Sequence, residues 1–155
     1  WHSSFEVVMI EETLKTTGEL IVTLYSENGV VKEKKKVNNL VVASGQNHIA
    51  SRLVTSGLPT AMSHMAIGDS DQAVVTGDTT LVSELGRASL VTITDSDNTV
   101  TFSATFNPGV GTGAVKEAGV FNNSTAGTLL CRTVFGEVNK LVGDTLSIDW
   151  TITIA

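Results

Sequence analysis

The nine residues LSIDWTITI, Leu146 to Ile154, alternate without a break. Leu146, Ile148, Trp150, Ile152 and Ile154 take one set of positions, and Ser147, Asp149, Thr151 and Thr153 the other. Side chains of an extended strand point to opposite faces with a period of two, so this segment has one dry face and one wet face. TVTFSATF, Thr99 to Phe106, repeats the pattern with Val100, Phe102, Ala104 and Phe106 on its apolar side. The preceding ASLVTIT reaches it across DSDN, which predicts an antiparallel hairpin. Dry faces need a partner, so Phe102, Phe106, Leu146 and Trp150 are the expected structural core.

A second hairpin is expected in GELIVTLYSENGVVKEKKKV, where Asn28-Gly29 offers the positive φ angles of a tight primed turn. Its second strand carries Lys32, Lys34, Lys35 and Lys36. Two readings stand for these lysines. They form a solvated edge strand whose charge deters edge-to-edge pairing, or a basic patch that docks on an acidic partner.

One helix is expected in SGQNHIASRLVTSG, with Ser44 as N-cap and Gly57 as terminator, since Ile49 and Leu53 lie four apart beside Ala50 and Val54. GDTTLVSELG suggests one more short helical turn. The strands VKEAGVF and TLLCRTVF flank NNSTAG. About eight strands and one short α-helix predict an all-β, mainly antiparallel fold of β-sandwich or jelly-roll type. No linker or repeat divides the chain. Residues 1–37, an extension plus the lysine hairpin, are expected to act as a contact arm, and 38–155 to form the sandwich. Met9 is a candidate initiator, which would make Trp1 to Val8 an extension.

Composition removes several functions. Ten Lys and Arg face 16 Asp and Glu, for a net charge of −6. A phosphate polyanion is held by cations, so nucleic acid is not an expected partner. No apolar run approaches the ~20 residues of a membrane-spanning helix. Cys131 is the only cysteine, so no intrachain disulfide forms, and in its apolar strand it reads as a small buried hydrophobe. The compartment stays open.

Candidate chemistry is sparse. MSHMAIGDS, Met62 to Ser70, gathers His64 and Asp69, but no further ligand at metal spacing accompanies them. A calcium loop counted from Asp69 needs Gly and Glu where Val74 and Thr80 stand. Asp69 and Asp71 are expected to cap turns, as is DSDN. GVGTG lacks the last glycine of a dinucleotide fingerprint. No serine sits in a G-x-S-x-G elbow, and nothing brings Cys131 to His48 or His64. The sequons at Asn122 and Asn123 read as turn composition. No metal, no cofactor and no enzymatic activity are expected.

The segments NHIASRL, MSHMAIGDS, ELGR, KEAGVFN, GTLLCRTVF and GDTLSIDWTITI follow one another from about Gly45 to Ala155. This series resembles small virion structural proteins of tailed bacteriophages, and its later part is similar to the attachment domain of phage tail fibres. Ser70 stands where the fibre pattern has glycine. The resemblance implies that His64, Asp69, Arg87 and Glu117 tie turns to strand ends. It also implies a non-enzymatic virion protein whose partners are other virion proteins, the major capsid protein or tail proteins, and further copies of itself. A fibre needs a coiled-coil, collagen-like or β-helical shaft, and the chain has neither heptads nor a G-X-Y repeat. The leading expectation is therefore an oligomeric head decoration, or cement, protein bound across capsid subunits. The alternatives are a small tail protein or tail-fibre adaptor, and a host-surface glycan-binding module.

Overall fold

The computed structural model describes residues 3–8, 10–54 and 56–155. Trp1, His2, Met9 and Thr55, the candidate initiator among them, lie outside the described residues. The protein is mainly antiparallel β-structure with one short helix. In chain order the elements are β1 Thr16–Tyr25, β2 Val31–Val41, α1 Ala43–Ser51, β3 His64–Gly68, β4 Glu84–Ser96, β5 Thr99–Phe106, β6 Gly113–Phe121, β7 Leu129–Lys140 and β8 Thr145–Ile154.

The strands close into one barrel in the order β1-β2-β7-β6-β3-β4-β5-β8, so the expected sandwich is corrected to a closed eight-stranded barrel. Two long strands turn the corner, each pairing with one neighbour along one part of its length and with the other along the next. β4 pairs with β3 from Glu84 to Ser89 and with β5 from Leu90 onward, with a register shift at Leu90/Thr92. β2 pairs with β1 along its length and with β7 only at Leu40 and Val41. Such irregularities bend a strand and let a sheet curl until its edges meet.

The core follows the period of two. Leu146, Ile148, Trp150 and Ile152 are buried, as are Phe102 and Phe106 across the β5–β8 ladder. Trp150 is opposite Phe102 on one side and Leu20 of β1 on the other, and it is fully buried. Leu20, Val22 and Leu24 are core residues, so the N-terminal hairpin is barrel wall. A division at 37/38 would cut β2 in its middle.

Local expectations change in three places. The helix runs from Ala43 with Val42 at its N-cap, and Ser44 Oγ donates instead to the Leu129 carbonyl. Gly45 explains the displacement, because any side chain there would collide with the Leu130 carbonyl of β7. GDTTLVSELG forms no helix; it runs into β4, and its Val82 and Ser83 amides donate to the Glu117 carboxylate. In the first hairpin only Gly29 takes a positive φ, 78°, and its amide donates to the Ser26 carbonyl while Ser26 N–H donates to Val30. That is a three-residue loop with a glycine bulge, not the expected primed turn.

Candidate functional site

The β2 lysines stand on both sides of the barrel wall. Lys35 is opposite the core residue Val22 and Lys36 is opposite Ile21, so the two lysines face opposite ways. Lys32 Nζ donates to Asp144 Oδ2 at 2.7 Å. This bond and the Leu141 amide hold the Asp144 carboxyl below its ordinary value. Lys35 Nζ donates to the Gly136 and Glu137 carbonyls and pairs with Glu33, bridging the stretch where β2 and β7 have no ladder. Lys36 pairs with Glu19 on β1. Lys34 alone of the four makes no ion pair among the described residues and is exposed. The structure therefore turns most of the expected basic patch into internal contacts.

Of the four residues that the resemblance singles out, Arg87 and Glu117 tie loops to strands, and His64 links neighbouring strand residues. His64 Nδ1 lies 2.7 Å from Ser63 Oγ, and its Nε2 lies 3.3 Å from Ser89 Oγ of β4. Arg87 donates to the Asn123 and Ala126 carbonyls, pairs with Glu84, and lies 3.8 Å over the Phe121 ring. Glu117 is buried, accepts the Val82 and Ser83 amides, and binds Arg132. Asp69 contributes its backbone amide, which donates to Ser83. The expected capping by its carboxylate falls elsewhere, to Ser70 Oγ beneath Gln72 N–H and to Asp78 beneath Val75 N–H.

Arg132 is the member of this cluster that sequence reading missed. It is fully buried and satisfied on every side by Glu117, by Asp78 Oδ2 at 3.0 Å and by the Gln72 carbonyl. Together these bonds clamp the loop between β3 and β4 onto the outer face of the barrel, where its Leu81 packs with Ala66, Phe121 and Leu129. One signal was available. A lone Arg in LLCRTVF and a lone Glu in KEAGVF are opposite charges on neighbouring apolar strands.

A second feature lies at one end of the barrel, under α1. An apolar pocket of about 390 Å³ is walled by Ile49, Met62, Ile93, Phe102, Leu130 and Ile152, with His48 and Arg52 at its edge. Burial, and then the Arg52 guanidinium, lower the His48 pKa from 6.5. His48 Nδ1 is buried without a hydrogen-bond partner. Arg52 donates to the Pro59 carbonyl and has no carboxylate partner among the described residues. Ile154, also on the wall, is the β8 residue opposite Thr16, so β1 enters the barrel beside this mouth.

Among the described residues no group of three or more His, Cys, Asp or Glu is placed to hold a metal. Cys131 is buried, and burial pushes its thiol pKa up, away from thiolate chemistry. Phe5 is the one aromatic ring among the described residues in the exposed class, and Tyr25 and Phe135 are half-buried. No described helix is long and apolar enough to cross a membrane. None of the family models, curated proteins or solved structures compared with the chain matches it.

Proposed function

We propose that this chain is a non-enzymatic virion structural protein of a tailed bacteriophage, and specifically an oligomeric head decoration protein that binds across neighbouring capsid subunits. The observation that carries the reading is the fate of the motif residues. His64, Arg87 and Glu117 are spent on holding strands and loops together, as the resemblance to virion proteins implies, and none of them lines the apolar pocket. A closed barrel whose motif charges hold its loops in place suits a protein that must brace a shell. Of the four β2 lysines, Lys34, exposed and without an ion-pair partner among the described residues, is the one left to meet an acidic capsid surface.

The resemblance to the attachment end of tail fibres supports a second reading, a small tail or fibre-adaptor component. Imaging particles with a labelled antibody against this chain separates the two. The decoration reading expects many labels spread over the head, and the adaptor reading a few at the tail. Particles without label would sink both. Lys34→Glu is expected to reduce labelling of the head without unfolding the barrel.

A further inference from the structure

Between Phe5 and Leu14 the sequence is apolar and acidic, and its described residues are exposed. Phe5 is 89% and Ile10 86% exposed, and Val7, Val8 and Leu14 are exposed as well. An arm this rich in Phe, Val and Ile has strong β-propensity and gains by burial. It leaves the barrel beside the apolar mouth. Lys15 and Ala155 exchange backbone hydrogen bonds, and Thr16 lies opposite Ile154 of the pocket wall.

Folding back into its own mouth would require a reversal within the arm. From Phe5 to Thr17 there is no Gly, Pro, Asn or Asp, the residues that make tight reversals. The Lys15–Ala155 bonds also fix the exit direction. Ten extended residues reach about 33 Å, far enough to cross to an adjacent barrel. The mouth is complementary to such an arm. Its walls are apolar, its rim holds the Arg52 guanidinium, which has no carboxylate partner among the described residues, and the arm carries Glu6, Glu11 and Glu12.

We propose that the apolar mouth of each barrel receives residues Phe5 to Leu14 of a second copy of this chain, so that neighbouring barrels are joined by exchanged arms. Each copy presents an arm and a mouth side by side, which allows a closed and self-complementary assembly. The contact is mainly apolar and should persist at high salt, where exposed ion pairs are screened. The inference rests on the homo-oligomer in the reading above, and it is testable on the isolated chain without particles. A failure here would remove the exchanged arms, whereas a failure of the virion reading would appear only in the particle imaging.

The experiment is light scattering of the purified full chain over a concentration series, in low and high salt, with two variants. Val8→Asp alters the exposed arm, and Ile93→Asp alters a wall residue that is itself half-exposed, so neither reaches the closed core. A discrete oligomer is expected, with each variant weakening it by about tenfold or more, because an aspartate buried without a partner costs more than the ~1.4 kcal/mol of a tenfold change. Circular dichroism should show the barrel unchanged in both. Mixing the two variants should restore part of the association, since one intact arm then meets one intact mouth. A monomeric full chain would overturn the proposal, as would an oligomer indifferent to both variants. A monomer whose pocket variant alone freed the arm to proteolysis would place the arm in its own mouth and would also overturn the exchange.

Discussion

Arg132 Nε lies 2.9 Å from Glu117 Oε2, with both side chains fully buried on adjacent strands β7 and β6. The pair is closed by the Val82 and Ser83 amides, Asp78 and the Gln72 carbonyl. A buried ion pair is weak evidence of net stabilisation, because desolvation offsets attraction, but removing one member strands the other. Glu117→Ala and Arg132→Ala are therefore each expected to cost about 3–5 kcal/mol. A double-mutant cycle in urea should show strong coupling, with the double variant far less damaged than the sum. Additive losses would mean the two charges stabilise the loop independently.

Trp150 sits between Leu20 and Phe102 at the centre of the barrel wall. Trp150→Ala should destabilise by about 3–5 kcal/mol through lost burial and the cavity left behind. Trp150→Phe should cost less, since it keeps much of the ring and removes an Nε1–H that is buried without a partner. Chemical denaturation of the two variants checks the order; a loss below about 1 kcal/mol for the alanine variant would contradict the packing.

His48 predicts an acid limb in stability. Its folded-state pKa is lowered from 6.5 by burial and then by Arg52, so the unfolded chain takes up a proton that the folded chain resists. Stability is present above 6.5 and is lost as pH falls through the lower folded value. Melting temperature should decline as pH falls below 6.5, and His48→Gln should flatten that decline. A separate loss is expected below 3.8, where protonation of Asp144 ends its bond from Lys32. An unchanged slope in His48→Gln would assign the acid limb to other groups.

Two truncations should behave differently. Removing residues 1–14 takes away no strand and no core side chain among the described residues, so the barrel should keep its cooperative melt. Removing residues 1–37 takes Leu20, Val22 and Leu24 out of the core and leaves β8 without one neighbour. That chain should not fold. Equal circular dichroism spectra and melts for the two truncations would contradict the placement of β1 in the barrel.

What could be read from the sequence followed from short-range periodicity. LSIDWTITI and TVTFSATF declared their faces because a strand repeats every two residues, and Leu146, Trp150, Phe102 and Phe106 lie where that repeat puts them. Closure was not legible. Alternation says that a face is dry but not whether it meets a second sheet or its own curled continuation, and that choice rests on β2 and β4 changing neighbour along their length. The contacts of the lysine strand were hidden for a similar reason. Lys32 and Lys35 find partners 112 and 101 residues away in sequence, at distances that no local window spans, whereas Lys36 pairs with Glu19 across its own hairpin. The apolar mouth was hidden because its wall is assembled from α1 and four separate strands.

The most direct test of the account is a copy count on purified particles. Density from imaging of intact virions, checked by the mass-spectrometric ratio of this chain to the major capsid protein, gives both position and stoichiometry. The account predicts symmetric, repeated density over the head lattice, with a barrel at each site and a ratio fixed by the lattice. Absence of the chain from washed particles would contradict it.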